Sequence, residues 1–145
     1  MPVTQTATVM EVVQKALDAV NRHDPDAFAA LYSADAIALD PQYAEPLDGR
    51  QAIRKDIADF FTAFPDLNVR LVGPIVVDGD TAGFEVEMTG THAGPLVSPA
   101  GSSPPTNRRV SMRGGRFVRL NDHELITECR RYYDMAGIMQ QLGLM

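Results

Sequence analysis

At Pro65 the hydrophobic pattern of this chain changes its period, and few folds accommodate that change. Before Pro65, apolar residues recur every three or four positions: Val9, Val12, Val13, Ala16, Leu17 and Val20, then Phe28 and Leu31, then Ile53, Ile57, Phe60, Phe61 and Phe64. That spacing puts each set on one face of a helix. After Pro65 apolar and polar residues alternate over 68–77, 82–92, 108–120 and 125–134, the pattern of strands with one covered face. Helices followed by a strand meander predict an α+β domain in which a curved antiparallel sheet wraps around the N-terminal helices.

Local signals set the expected boundaries. Thr8-Val9-Met10-Glu11 has capping-box spacing, so the first helix should run from there to about Arg22. Asp24-Pro25 reads as the N-cap and first position of a second helix. A short strand over 36–40 should end before Pro41, a turn should occupy 46–49, and a third helix over 50–63 should stop at Pro65. Asp78-Gly79-Asp80 suits a hairpin turn, and 121–124 should close a second hairpin. Residues 93–107, rich in Gly, Pro and Ser, read as a mobile loop. Gly114-Gly115 reads as a bulge or bend. The chain closes on a helix whose core stripe is Met135, Ile138, Met139 and Leu142.

Composition narrows the function classes. The length of 145 residues fits one domain spanning 1–145 with a core of its own. A formal charge of −6 argues against a nucleic-acid partner. The lone Cys129 cannot close an intramolecular disulfide, and the first residues have neither a basic segment nor an apolar one, so a cytoplasmic location is expected. No run approaches the ~20 apolar residues of a membrane span. His23, His92 and His123 lie in different elements without ligand spacing, so no metal site is expected.

Seven of the 13 Lys+Arg fall between 108 and 131 (Arg108, Arg109, Arg113, Arg116, Arg119, Arg130 and Arg131), opposed there only by Asp122, Glu124 and Glu128. Either they form a solvated sheet face paired with Glu85 and Glu87, or some of them, Arg113 included, serve a pocket for an anionic or carbonyl-rich ligand. Arg130 and Arg131 must point to opposite faces of one strand. Arg131 shares parity with Cys129 and Tyr133; if that series faces inward, the buried cation needs a carboxylate such as Asp40 or Glu128, or a ligand oxygen. Cys129 itself reads as a small buried hydrophobe.

His92 shares parity with Phe84, Val86 and Met88 at the end of its strand, where it would either transfer protons at the rim of a cavity or pin the following loop. Asp40 is the spare carboxylate best placed to act as a base, unless Asp-Pro is plain turn chemistry. Tyr32, Tyr43 and Tyr133 offer phenols that could orient a ligand or simply pack.

Four segments carry a family resemblance: Phe64-Pro65-Asp66-Leu67, Gly90-Thr91-His92-Ala93-Gly94, Pro104-Pro105-Thr106 ahead of a basic strand, and Tyr132-Tyr133-Asp134 leading to Gln141-Leu142-Gly143. With the element order they resemble the nuclear transport factor 2-like cone, a cystatin-like α+β barrel, and within it the SnoaL-like polyketide cyclase family. The resemblance implies a homodimer of cones, each admitting a hydrophobic carbonyl compound and needing no metal or organic cofactor. The leading expectation is a cyclase or isomerase using general acid/base chemistry on a polyketide-like or steroid-like carbonyl compound. A non-catalytic binder of a hydrophobic anion is the alternative, and an epoxide hydrolase the third. The resemblance places an acid/base aspartate on the last strand, at the position of Arg131 here, while Asp134 matches a helix N-cap. The Asp-Arg-Asp arrangement that epoxide hydrolysis requires is not visible in the sequence.

Overall fold

The computed structural model describes residues 3–145, with side chains from residue 5 onward. Met1 and Pro2, part of the N-terminal stretch considered above, lie outside the described residues. Helix α1 (Val3–Asn21) begins ahead of the expected capping box, leaving Thr8 inside it; no Gly or Pro between residues 3 and 8 interrupts a helix. Helix α2 (Pro25–Ala29) is capped by Asp24, whose Oδ1 accepts the Ala27 N–H at 3.0 Å. Helix α3 (Arg50–Ala63) follows Gly49, whose φ of 96° favours glycine, and ends before Pro65. Helix α4 (Met135–Leu142) is capped by Asp134 through the Gly137 N–H at 2.9 Å and closed by Gly143 at φ 74°.

The main sheet contains β1 (Tyr32–Leu39), β2 (Leu47–Asp48), β3 (Asn68–Asp78), β4 (Thr81–Thr91), β7 (Arg109–Leu120) and β8 (Ile126–Tyr133). Its order is β2-β1-β8-β7-β4-β3. The expected antiparallel sheet is in fact mixed, because β1 and β8 run parallel. The long chain between them, including α3 and the meander, lets β8 return in either direction. Strand β1 also starts earlier than expected, since Tyr32 and Ser33 are already buried.

Two glycine-rich segments differ from expectation. Residues 93–107 contain a hairpin, β5 (Leu96–Ser98) paired with β6 (Gly101–Ser103), closed by Gly101 at φ 124°. Gly114 and Gly115 form no bulge: Gly114 pairs in register with Val86 on one side and Tyr133 on the other. A Cβ at Gly114 would stand 2.8 Å from the Tyr132 carbonyl oxygen, so glycine is there for close approach.

The sheet separates two chemistries. Its inner face and the helices bury Val13, Ile57, Val86, Val118 and Ile126, and each such side chain stabilises the fold by roughly 1.5–3 kcal/mol. Its outer face carries ion pairs, with Glu87 between Arg70 at 3.0 Å and Arg113 at 3.3 Å, beside the exposed rings of Phe117 and Tyr132. Glu85 makes no such pair among the described residues. No described helix is long and apolar enough to cross a membrane.

Candidate functional site

Alternation along β8 turns Cys129 and Arg131 inward and leaves Tyr132 outside. Arg131 is 9% exposed. Its Nη1 donates to two carboxylates, Asp40 Oδ2 at 3.0 Å and Asp56 Oδ2 at 2.8 Å. The parallel pairing explains the first contact: Leu39 sits opposite Arg130, so the next residues, Asp40 and Arg131, come side by side. Asp56 arrives from α3, where it occupies the same apolar face as Ile53 and Phe60. A carboxylate at such a spacing was a readable signal that the sequence reasoning missed.

Two phenols complete the cluster. Tyr133 Oη donates to Asp40 Oδ1 at 2.5 Å, and Tyr43 Oη to Asp56 Oδ1 at 2.6 Å. Asp40 Oδ1 also accepts the Gln42 N–H at 2.9 Å, the turn chemistry expected of this residue. Asp40 is thus a turn former that also holds Arg131 and Tyr133.

Burial opposes the charge on Arg131, but Asp56, with further help from Asp40, outweighs it and holds the guanidinium pKa well above its usual value. Burial and Asp40 push the Tyr133 phenol up; burial and the hydrogen bond to Asp56 do the same for Tyr43. Tyr32, raised by burial and then by the Cys129 thiol, is likewise a neutral phenol. All three tyrosines are proton donors at neutral pH.

These groups border a largely apolar cavity, with about 850 Å³ of empty space when open solvent is included. Asp40, Asp56, Arg131, Tyr32 and Tyr133 line it, and Leu17, Phe60, Phe84, Val86, Met88 and Met112 supply much of the apolar wall. Arg116 lines it too, inward on β7 with Met112 and Val118. Its alternation with Val118 and Leu120 is a signal legible in the sequence.

Arg113 lies elsewhere. It is exposed on the outer face, paired with Glu87, because residues 113 and 116 have opposite parity on one strand. His92 also lies outside the cavity lining. Its parity is inward and its exposure 0%, but it falls one residue past β4, where the ring packs by Phe64 with centroids 5.6 Å apart. Its Nδ1 accepts the Thr106 N–H at 3.2 Å and meets Thr106 Oγ1 at 3.0 Å. Its backbone bonds Arg108 and Asn107. That is the loop-pinning arrangement, and burial lowers the imidazole pKa. Tyr43 touches the cluster through Asp56 without lining the cavity. Among the described residues, no group of three or more His, Cys, Asp or Glu side chains converges as a metal site.

A curved sheet closed over helices, with a largely apolar cavity and ionised groups gathered at one place in its wall, defines the ketosteroid isomerase-like and nuclear transport factor 2-like class of fold. Solved structures agree. A SnoaL-like protein from Jannaschia sp. CCS1 superposes with a TM-score of 0.82 at 19% identity, covering 94% of this chain and 92% of that one. A protein of ketosteroid isomerase-like fold from Catenulispora acidiphila, in complex with trimethylamine, gives 0.76 at 21% identity, with 93% and 94% covered. SalBIII, described as an epoxide hydrolase/cyclase-like enzyme in pyran ring formation in the polyether salinomycin, gives 0.74 at 20% identity, with 91% and 95% covered. No functionally curated protein matches the sequence. The family model for SnoaL-like polyketide cyclases matches residues 11–142, and the chain belongs to that family.

Proposed function

We propose that this protein is a cofactor-independent cyclase or isomerase for a hydrophobic, polyketide-like or steroid-like carbonyl compound. The observation that carries this reading is the pair of carboxylates, Asp40 and Asp56, fixed on one buried guanidinium in the wall of an apolar cavity. Of the two, Asp56 is the better base: two side-chain donors engage it, against three donors on Asp40. A carboxylate has about four lone-pair directions, so Asp56 keeps more of them free for a substrate proton.

In the proposed step Asp56 takes a proton from the carbon next to a carbonyl, and the C–H electron pair moves onto the carbonyl oxygen as an enolate. Guanidinium donors in the wall stabilise that oxygen. The enolate carbon then attacks a second carbonyl of the same molecule, forming a C–C bond and an alkoxide that recovers the proton, or it is reprotonated at another carbon to give an isomer. Asp40, Arg131, Tyr133 and Tyr43 position the base. His92, packed against Phe64 and absent from the cavity lining, has no part in this scheme.

Exchange of α-protons in heavy water, followed by NMR on 2-tetralone, tests the chemistry without requiring the natural substrate. The wild type should accelerate exchange, and Asp56→Asn should lose about 10²- to 10⁴-fold of it. Ligand binding without acceleration would favour the binder reading instead.

The Asp40–Arg131–Asp56 arrangement supports a second reading, epoxide opening. One carboxylate would take a proton from the attacking water or hydroxyl while the other, protonated, delivers one to the epoxide oxygen. The structural likeness to SalBIII is in keeping with it. Diol formation from 1-methylcyclohexene oxide, lost in both Asp→Asn variants, would select this reading over enolisation.

We further propose one domain over 1–145 acting as a homodimer through the outer sheet face, where Phe117 is 41% and Tyr132 55% exposed. Sedimentation of the wild type and of Tyr132→Glu checks the dimer. The single buried thiol of Cys129 suits a cytoplasmic location.

A further inference from the structure

We infer that Arg116 is the anchor for a substrate carboxylate, so that the compound filling the cavity is a hydrophobic acid held with its anionic end at Arg116 and its reacting carbon toward Asp56. The inference rests on the cavity being a ligand site, as proposed above, and adds the class and orientation of the ligand.

Arg116 is placed at a cost that Asp40 offsets only in part and from a distance, without an ion pair. It sits directly opposite Arg131 in the β7–β8 register, on the same inner face. Like charges opposite one another across a strand pair repel. Burial, and after it Arg131, pull the Arg116 pKa down. Arg131 is answered by two carboxylates, but among the described residues Arg116 makes no ion pair.

The hydrogen bonds of Arg116 leave most of its capacity unused. Nη1 donates to the Gly115 carbonyl at 3.2 Å, and Nη2 meets Met88 Sδ at 3.5 Å. Thioether sulfur is a weak acceptor, and a guanidinium has five N–H donors. Its Cζ lies 5.9 Å from the centre of the Tyr133 ring, which steadies the group without accepting a hydrogen bond. His92 Nε2 is the sole buried side-chain nitrogen or oxygen without a partner among the described residues. The Nε of Arg116, which makes no hydrogen bond, is therefore not sealed in protein, and Arg116 is part of the cavity wall.

Charge placement fixes the orientation. Two aspartates and two arginines sum to zero if all are ionised, but both carboxylates contact Arg131 and neither contacts Arg116. The cavity wall is thus negative around Asp40 and Asp56 and positive at Arg116. An anion is repelled from the first region and drawn to the second, where the planar fork of an arginine matches a carboxylate. Phe84, its cross-strand neighbour on β4, and Met112 offer apolar surface beside it for the ligand skeleton.

Two probes of equal shape, 2-naphthoate and neutral 2-naphthamide, test this by calorimetric titration of the full-length protein. The wild type should bind the acid at least about tenfold more tightly than the amide. Arg116→Met should abolish the preference, Arg116→Lys should keep part of it, and Arg113→Met, on the outer face, should keep all of it. Equal wild-type affinity for the two probes, or a preference that survives in Arg116→Met, overturns the proposal while leaving the cavity as a ligand site. If neither probe binds the wild type, both the ligand site and the anchor fail. The wild-type comparison stands even if a variant does not fold.

Discussion

Arg131 Nη1 lies 2.8 Å from Asp56 Oδ2 although 75 residues separate them in sequence. The contact joins the last strand to the third helix, and the same nitrogen reaches Asp40 at the end of β1. One guanidinium thereby ties together three elements around the cavity.

Arg131→Met leaves two carboxylates facing each other in a poorly solvated place, with side-chain exposures of 6% for Asp40 and 13% for Asp56. Removing one partner of a buried pair costs about 3–5 kcal/mol. Denaturant melts should show a loss of that size. Adding Asp56→Asn to Arg131→Met should restore part of it, because one orphaned charge disappears; strictly additive losses would contradict the coupling.

Tyr43→Phe removes a donor from Asp56 and Tyr133→Phe removes one from Asp40. Each should lower stability by about 1.5–3 kcal/mol, the range for hydrogen bonds to charged groups. If Asp56 is the base, Tyr43→Phe should also shift the pH profile of α-proton exchange upward, since a carboxylate that loses a donor binds protons more tightly. A profile unchanged by Tyr43→Phe would argue against Asp56 in that role.

His92 gives the fold an acid-sensitive joint. Burial lowers its pKa below the ordinary 6.5, so the unfolded chain takes up the proton more readily than the folded one. The contribution of the neutral ring is complete above 6.5, and it is lost as pH falls from there through the folded-state value. Melting temperature measured between about pH 7.5 and pH 5 should fall more steeply for the wild type than for His92→Asn, which cannot titrate. Equal slopes would show that His92 is not protonated on unfolding.

Gly94→Ala should be among the most damaging single-atom changes. The new Cβ would stand 2.0 Å from the Thr62 carbonyl oxygen, and backbone cannot rotate away as a side chain could. Overpacking typically costs about 1–3 kcal/mol, and the upper part of that range is expected in a chemical melt. Gly73→Ala, with no atom within 4 Å but φ of +81°, should cost less and only through backbone strain.

Much of this fold is written locally. The spacing of Ile53, Ile57 and Phe61 makes an amphipathic helix wherever it is placed, and the alternation of Val86 and Met88 makes a one-sided strand. The caps Asp24 and Asp134 bond N–H groups three residues on, so the sequence alone locates them. Parity also puts Arg131 on the same face of its strand as Cys129, but that this face is the inner one was decided by the tertiary structure. What the sequence could not determine was which distant groups these local rules bring together. The parallel pairing of β1 with β8 sets Asp40 beside Arg131 across 91 residues, and α3 delivers Asp56 from another direction. His92 obeyed its parity and still missed the cavity, because where the strand ends and that the ring packs on Phe64 are settled by tertiary packing. Periodicity constrains the direction of each side chain; only the register between strands and the docking of helices decide what it meets, and those depend on the summed burial of the whole core.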